Sequence, residues 1–293
     1  MLFEIENLKC SYDPHYQEGH SKVVLEISTL RVPLNKIMFI VGESGIGKST
    51  ILETLGMMNN TVVPDAGTVF RFVNPTDGKT TDLVSLWERK NEKRLSKFRL
   101  ENYSFIFQNT NLMRNFTVYE NIAFTRMLQG YPTFQCRQRT RQILEDLGLG
   151  HIDPSRKAHE LSGGQQQRIA FARAILPDFT VLFGDEPTGN LDGENAVRVM
   201  RILSDKLAAL ENASAVIVSH DMHLANMFAD LVVKIRKCYR QKDDEQQSYG
   251  VIDETCVFVP DAERKIWTNG SIEVKSEDFE QFLREKTVVS HDT

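Results

Sequence analysis

The stretch that decides the fold is Ile37-Met-Phe-Ile-Val-Gly-Glu-Ser-Gly-Ile-Gly-Lys-Ser49. Its first five residues form an apolar run of strand length, and residues 42–49 match the pattern GxxxxGK[ST] in full. Apolar residues at helical spacing follow, namely Ile51, Leu52 and Leu55. A glycine-rich turn between a strand and a helix directs backbone N–H groups and the positive helix N-terminus at one anion. The segment therefore predicts a phosphate-binding loop in a nucleotide-binding α/β domain.

Two side chains of this loop are expected to act directly on a bound nucleotide. Lys48 would carry its charge to the β- and γ-phosphates, and the Ser49 hydroxyl would ligate Mg²⁺. The other predicted nucleotide contacts of the segment are Gly42, Ser44, Gly45, Gly47 and Thr50. A nucleotide and Mg²⁺ are thus the expected ligands, and the loop alone does not tell which P-loop protein this is.

The composition is that of an ordinary globular protein. Of 293 residues, 41% are hydrophobic and 26% charged, which excludes a disordered chain, a collagen-like fibre and a coiled coil. No apolar run approaches the roughly 18 residues that a membrane-spanning helix needs. The first six residues contain acidic side chains where a signal peptide would be basic, so we expect no export signal. If a membrane is involved, another chain is expected to supply it.

The charge distribution argues against nucleic acid as a partner. The net charge is -5, and residues 239–293 alone hold seven basic and thirteen acidic side chains. Nucleic-acid binding needs a basic face. The four cysteines have neither metal-site nor CxxC spacing, so reduced structural thiols are expected.

Strand and helix patterns alternate along the first 235 residues, which predicts a mainly parallel α/β sheet. The clearest strands are Ile37–Val41 and residues 103–107, 180–184 and 215–219. Residues 109–178 are mostly helical in pattern and are interpreted as a helical subdomain inserted into the core. We expect one nucleotide-binding domain over residues 1–250.

Residues 251–293 are expected to form a small α+β extension. Residues 237–247 are interpreted as a polar loop before it, and residues 251–260 as one strand. Asn269-Gly270 between apolar residues predicts a hairpin, and Ser276 is the expected N-cap of a short helix. Docking on the chain's own body is the favoured role of this extension, and a regulatory module is the alternative.

A second element expected to act on the nucleotide is Thr180-Val-Leu-Phe-Gly-Asp-Glu186, which ends in two acidic residues. A buried strand that ends in a carboxylate can bring Asp185 to the metal at the carboxyl edge of the sheet. Glu186 follows directly and would polarise the water that attacks the γ-phosphate.

A second anion cradle is predicted at Leu161-Ser-Gly-Gly-Gln-Gln-Gln-Arg168, because Ser162, Gly163 and Gly164 precede a helical pattern. One ATP needs one such cradle per chain, so a second becomes useful when two chains pair head to tail. Here the chain resembles the ATP-binding cassette (ABC) family, whose signature is LSGGQ. Residues 42–49 and 181–186 are similar to its Walker A and Walker B motifs. The resemblance adds Gln165 to the nucleotide contacts.

The resemblance extends from Leu2 to about Gly250 and implies further roles. Gln108 matches the glutamine that contacts Mg²⁺ and the attacking water, and His220 matches the switch histidine at the γ-phosphate. Glu186, His220 and Gln108 are therefore the implied catalytic residues, and Ser49, Gln108 and Asp185 the implied metal ligands. Tyr12 stands where the family has an aromatic residue that stacks on adenine, with Tyr16 as a rival.

Residues 185–192 and 111–121 are similar to the lipoprotein-releasing, macrolide-efflux and cell-division branch. The resemblance implies an ATPase that forms a homodimer over two Mg·ATP and drives an integral-membrane permease. Residues 109–125 are the expected docking surface for that permease. The location implied is cytoplasmic, on the inner face of the cell membrane.

The sequence leaves two alternatives to a transporter subunit. A soluble ABC-type ATPase acting on nucleic acid or ribosomes would need a long coiled-coil insert, or two cassettes with a basic linker, and the sequence has neither. An inactive cassette is disfavoured because Lys48, Asp185, Glu186 and His220 are all present.

Overall fold

The computed structural model describes residues 1–13, 22–88, 91–242, 245–285 and 288–289. Tyr16, the rival of Tyr12, lies outside these residues. The helices found in the described part of the chain are all too short or too polar to cross a membrane.

The described residues contain sixteen strands. In chain order they are β1 (Phe3–Ser11), β2 (Val23–Val32), β3 (Ile37–Val41), β4 (Val62–Val63), β5 (Val69–Val73), β6 (Thr80–Asp82), β7 (Tyr103–Ile106), β8 (Val181–Asp185), β9 (Ser214–Val218), β10 (Leu231–Lys234), β11 (Arg236–Lys242), β12 (Glu245–Ile252), β13 (Val257–Asp261), β14 (Ile266–Thr268), β15 (Glu273–Lys275) and β16 (Val288–Val289).

The same residues contain nine α-helices and two short 3₁₀ turns. The helices are α1 (Lys48–Leu55), α2 (Leu83–Glu88), α3 (Glu92–Asn102), α4 (Val118–Leu128), α5 (Thr133–Asp146), α6 (Gly163–Ile175), α7 (Gly193–Ala209), α8 (Met222–Phe228) and α9 (Phe279–Arg284). The 3₁₀ turns are Ala158–Glu160 and Glu254–Cys256. The predicted α/β class is confirmed, but the prediction of a mainly parallel sheet is wrong for one of the two sheets, in which β1 pairs antiparallel with β2, β4 and β5. The four clearest strand predictions agree with β3, β7, β8 and β9 to within one residue at each end.

The chain divides into two compact units, of which the first comprises residues 1–95 and 218–293. One of its sheets has the order β16-β11-β12-β2-β1-β5-β6, with β4 beside β1. In the second sheet, β10 lies parallel to β3, and β13, β14 and β15 continue outward from β10 as antiparallel strands. Packed aromatic rings of Phe3, Phe70 and Phe72 occupy the core of the first sheet.

The second unit comprises residues 96–217. It contains β7 and β8 as a parallel pair, with β9 on the other side of β8. Ring contacts of 5.1–5.4 Å join Tyr103 and Phe105 to Phe183 across the β7–β8 pair. Helices α4 to α7 and the end of α3 complete the unit, and the segment 109–178 is helical wherever it has regular secondary structure.

Side-chain caps explain where the helices of the second unit begin. Thr117 and Ser162 each form a capping box, with Glu120 and Gln165 respectively, so that α4 and α6 start with paired backbone donors. Asp192 accepts a hydrogen bond from the Asn195 N–H and caps α7.

The predicted polar loop at residues 237–247 is wrong, because most of this segment belongs to β11 and β12. Its polar side chains hide the strand period. Strands β11 and β12 pair with each other as antiparallel neighbours, and the end of β12 runs parallel to β2, with Gly250 opposite Leu25 and Ile252 opposite Ile27. Pairing with the neighbouring strands gives the backbone N–H and C=O groups hydrogen-bond partners within the sheet. The polar composition of the segment had instead predicted that these groups bond to water.

The single strand predicted over residues 251–260 is also wrong, because the 3₁₀ turn Glu254–Cys256 separates β12 from β13. Asp253 starts this turn by accepting from the Thr255 N–H. The hairpin at Asn269-Gly270 is confirmed, since β14 and β15 pair on either side of it. Ser276 is not the helix cap. Its N–H donates to the Lys265 carbonyl and prolongs the hairpin, so α9 begins only after Asp278.

Candidate nucleotide-binding site

The loop between β3 and α1 has the backbone conformation that an anion cradle requires. Gly45 and Gly47 have φ angles of 76° and 102°, a region that residues with a Cβ rarely adopt. Gly47 is the N-cap of α1 without any side-chain cap. The first N–H groups of a helix lack partners within it, so this end of α1 presents donors toward the loop.

Lys48 is folded against the same loop. Its Nζ donates to the carbonyl oxygens of Gly42 and Glu43, both at 2.8 Å, and its side chain is buried. The ammonium therefore lies over the concave backbone, where its charge favours phosphate oxygens. Ser44, Gly45 and Ser49 are exposed on the loop, and the Thr50 side chain is buried beneath it.

Residues of β2, β11 and β12 pack against the phosphate-binding loop and support it. A Cβ built on Gly250 of β12 would overlap the Ile46 carbonyl oxygen and would approach Leu25 Cδ1 to 3.0 Å. The Lys237 Nζ of β11 lies 3.2 Å from a carboxylate oxygen of Glu43. The hairpin that sequence reasoning missed thus supports the phosphate-binding loop directly.

Tyr12 is positioned beside this loop by its hydroxyl group. The phenol oxygen lies 3.1 Å from the Thr50 hydroxyl and donates to Glu53 Oε2 at 3.2 Å. Burial of the hydroxyl end is the main cause that raises the pKa of Tyr12, while the residue as a whole is 54% exposed. Its ring is therefore available to a planar ligand.

His220 lies at the exposed link between β9 and α8. The Ser219 N–H donates to the Ile40 carbonyl of β3 at 3.3 Å, so the link starts next to the strand that leads into the phosphate-binding loop. Asp221 caps α8 by accepting from the Leu224 N–H at 3.0 Å. The first unit therefore brings together Tyr12, the phosphate-binding loop and the histidine link.

The second unit holds the predicted acidic pair. Asp185 is the last residue of β8 and Glu186 follows it, both partly buried. Glu186 has a φ of 49°, which is uncommon for a residue with a side chain, and its carbonyl accepts from the Gly189 N–H at 3.1 Å. The strand therefore ends in a sharp turn at the acidic pair.

The N-terminus of α6 is an open cradle. Ser162 and Gly163 are exposed, a Cβ on Gly163 would meet nothing within 4 Å, and one on Gly164 would meet only the Asn190 carbonyl at 3.9 Å. Gln165 completes the capping box by accepting from the Ser162 N–H. The start of this helix can therefore receive a ligand that no part of the second unit covers.

Gln108 is exposed two residues beyond β7. The segment that follows it is held by Arg173 of α6, whose guanidinium donates to the carbonyl oxygens of Thr110 and Asn111 at 2.7 and 2.8 Å. Burial lowers the pKa of Arg173. Arg173 was not among the predicted functional residues.

Gln167 was also missed. It is 1% exposed, its Nε2 donates to the Pro187 carbonyl at 3.0 Å, and its Oε1 accepts from Asn190 Nδ2 at 3.1 Å. One amide therefore links α6 to the turn after Glu186 and to the segment that leads into α7. The run of three glutamines after Gly164 was the available signal in the sequence. The sequence does not reveal which of the three side chains is buried.

Comparison with known proteins identifies the class. Residues 25–189 match the family model described as ABC transporter. The chain is 38% identical over 205 residues to the lipoprotein-releasing system ATP-binding protein LolD of Aquifex aeolicus, covering 70% of this chain and 84% of that protein. The chain belongs to the ABC transporter family and is an ABC-type ATPase.

Two further comparisons refine this assignment. The macrolide export ATP-binding/permease protein MacB of Aggregatibacter actinomycetemcomitans is 34% identical over 239 residues, which are 80% of this chain but only 33% of that longer protein. A dimeric post-hydrolysis structure of the ATP-binding cassette MJ0796 bound to ADP and Pi superposes with a TM-score of 0.66 at 25% identity, covering 79% of this chain and 93% of that one. The predicted likeness to the lipoprotein-releasing and macrolide-efflux branch is confirmed.

Proposed function

We propose that this chain is the ATP-hydrolysing subunit of a membrane export complex, working as a homodimer that closes over two ATP molecules. The observation that carries the proposal is the open N-terminus of α6, which offers a second anion cradle in a chain that already has a complete phosphate-binding loop. A second cradle has a use when each copy covers the nucleotide of the other. MJ0796 is dimeric in its solved structure.

Within each copy the first unit holds the nucleotide. The N–H groups of residues 42–50 and the Lys48 ammonium bind the phosphates, and the exposed ring of Tyr12 stacks on the adenine. His220 senses the γ-phosphate through its imidazole. The hydroxyl contacts of Tyr12 with Thr50 and Glu53 support this role, because they leave the ring accessible.

The carboxylates of the second unit serve hydrolysis. Glu186 accepts a proton from the attacking water and orients it, and Gln108 takes part in holding that water. Phosphoryl transfer needs little covalent help from a protein, so positioning and fixed charge supply most of the rate. The strained backbone at Glu186 supports a functional role, since such strain concentrates at sites of chemistry.

The donor set suits Mg²⁺. Ser49, Asp185 and Gln108 offer a hydroxyl, a carboxylate and an amide oxygen, which are the hard ligands that this ion prefers, and few protein ligands suffice because Mg²⁺ keeps several waters. These three residues would hold the ion, which when bound to ATP neutralises charge on the phosphates.

The permease would dock on the helical segment after Gln108. The predicted surface, residues 109–125, contains Phe124, which is 40% exposed. Further exposed apolar side chains follow on α4 and at the start of α5, namely Met127, Leu128 and Phe134. Exposed apolar patches mark protein contacts, so the docking surface extends to residue 134. Such a partner would keep the chain at the inner face of the cell membrane.

The cargo class follows from the relatives. The LolD relative belongs to a lipoprotein-releasing system and the MacB relative is a macrolide export protein. An amphipathic or lipidated molecule moved outward by a separate permease therefore fits this chain best, with mechanical work on the envelope as the other output of that branch.

The first test is affinity purification of Glu186→Gln from native membranes in ATP and Mg²⁺. This variant is expected to retain ATP and to remain as a closed dimer, because it keeps the binding residues and loses the base. A co-purifying multi-span membrane protein supports the proposal. Ribosomes, nucleic acid or a soluble monomer would contradict it.

Lys48→Ala provides the matched control for that experiment. It is expected to lose ATP binding itself, because the loop keeps its backbone donors but loses the charge that lies over them. Near wild-type turnover of either variant would overturn the assignment of these residues.

A further inference from the structure

Residues 253–285 belong to the C-terminal extension, and this part of it packs against helix α8, which begins two residues after His220. The indole ring of Trp267 is 2% exposed and stacks on Phe279 with centroids 4.3 Å apart and planes 2° from parallel. The indole Nε1 donates to Asn226 Oδ1 of α8 at 2.9 Å. Asn226 in turn donates through Nδ2 to the Ser276 carbonyl at 3.1 Å. One asparagine therefore connects α8 to two parts of the extension.

Two further contacts hold the same region. Glu280 of α9 lies 2.9 Å from Nδ1 of His223, on the first turn of α8. Lys234, at the end of β10, donates to the Phe282 carbonyl at 2.6 Å. Strand β13 pairs with β10 through Val232–Phe258 and Val233–Val257. The extension thus holds α8 and the strand after it as one assembly.

His220 lies between this assembly and β3. On one side, the Ser219 N–H is bonded to the Ile40 carbonyl, immediately before the phosphate-binding loop. On the other side, Asp221 caps α8, and its own N–H donates to the Ser219 hydroxyl at 3.0 Å. A shift of α8 therefore has to move Asp221, and with it the backbone of His220.

We propose that the extension positions His220 for catalysis, with Asn226 as the positioning residue that transmits its contact to α8. This inference rests on the proposed role of His220 at the γ-phosphate. The extension holds the imidazole at a fixed distance from the phosphate-binding loop, and a looser α8 leaves ATP bound but hydrolysed slowly. Misplacement of a catalytic group by about 1 Å can cost as much as a hundredfold in rate.

Asn226→Ala tests the proposal because it removes the acceptor for Trp267 and the donor to Ser276 together. The kcat for ATP hydrolysis is expected to fall about tenfold while KM stays within about twofold, because the phosphate-binding loop is untouched. Asn269→Ala is the matched control. Among the described residues, that side chain bonds to Thr255, Ser271 and Ile272, all within the extension, and the variant is expected to keep its kcat.

A double-mutant cycle separates positioning from simple stability. In a His220→Ala background, single-turnover rates are expected to be the same with and without Asn226→Ala, because the asparagine acts through the missing imidazole. Equal losses from Asn226→Ala in both backgrounds would overturn the inference. An unchanged rate in His220→Ala alone would instead contradict the proposed function, so the two failures are distinguishable.

A gentler variant covers the case in which Asn226→Ala fails to fold. Glu280→Ala removes the exposed contact to His223 without opening the core, and its thermal midpoint is expected to stay close to that of the unaltered chain. A fall in kcat of about twofold or more, absent in the His220→Ala background, supports the inference. A kcat equal to that of Asn269→Ala argues against it.

Discussion

Glu186 illustrates at the residue scale how a reactive position is held. Its φ of 49° lies in the left-handed region, which costs a residue with a Cβ about 1–2 kcal/mol. The turn is closed by the Gly189 N–H bond to the Glu186 carbonyl, directly after the buried strand β8. Packing of that strand maintains a conformation that the residue itself does not favour.

Replacement of Glu186 by glycine is therefore expected to relieve strain that replacement by alanine retains. Both variants lose the carboxylate and should lose turnover. Urea unfolding is expected to give Glu186→Gly a free energy of unfolding up to about 1 kcal/mol above that of Glu186→Ala, since only glycine adopts this φ freely. A lower value for the glycine variant would show that the backbone is not strained there.

At the scale of elements, the β11–β12 hairpin is the main brace of the phosphate-binding loop. Gly250 allows β12 to approach the Ile46 carbonyl, and Lys237 of β11 reaches Glu43. The loop needs this support because its glycines allow many backbone conformations, and an anion cradle works only in one of them.

Gly250→Ala is expected to weaken ATP binding. The added methyl group would overlap the Ile46 carbonyl oxygen, so the loop or the hairpin has to move, at a typical overpacking cost of about 1–3 kcal/mol. Equilibrium binding of a fluorescent ATP analogue would measure the loss. Gly193→Ala is the control, since a Cβ there meets nothing within 4 Å. Equal affinities in the two variants would contradict the bracing role.

At the scale of the whole molecule, the proposed dimer requires that each nucleotide be bound by elements of two chains. Gly163→Asp tests this cleanly. The residue stands in open space at the first position of α6, and a carboxylate there suits the helix dipole, so the variant should fold. It should nonetheless repel the phosphates of the partner's ATP.

Mixing Gly163→Asp with Lys48→Ala is expected to restore activity that neither variant has alone. A mixed dimer would contain one site with an intact phosphate-binding loop from the first variant and an intact α6 cradle from the second. The ATPase rate of the mixture should therefore exceed the sum of the separate rates at the same total concentration. A rate equal to that sum would contradict shared sites, and wild-type chain mixed with each variant calibrates subunit exchange.

The sequence alone determined the class of this protein, and for a physical reason. Phosphate binding needs glycines, a lysine and a hydroxyl at set spacings within a few residues, so residues 42–49 carry that chemistry locally. The same holds for the turn at Asn269-Gly270 and for the strands that are apolar throughout, such as Ile37–Val41. Such features depend on neighbours in the chain and can be read without coordinates.

Only the tertiary structure decided what depends on distant partners. Most of the polar segment predicted as a loop belongs to β11 and β12, which pair with each other, and residues 250–252 of β12 pair with β2, more than 200 residues away in the chain. The buried position of Gln167, the anchoring of Thr110 and Asn111 by Arg173, and the link from Asn226 to Trp267 likewise join residues far apart in sequence. In each case, a polar group exchanges hydrogen bonds to water for hydrogen bonds to a group that only folding brings close. The residues next to it in the sequence therefore do not predict which partner it finds.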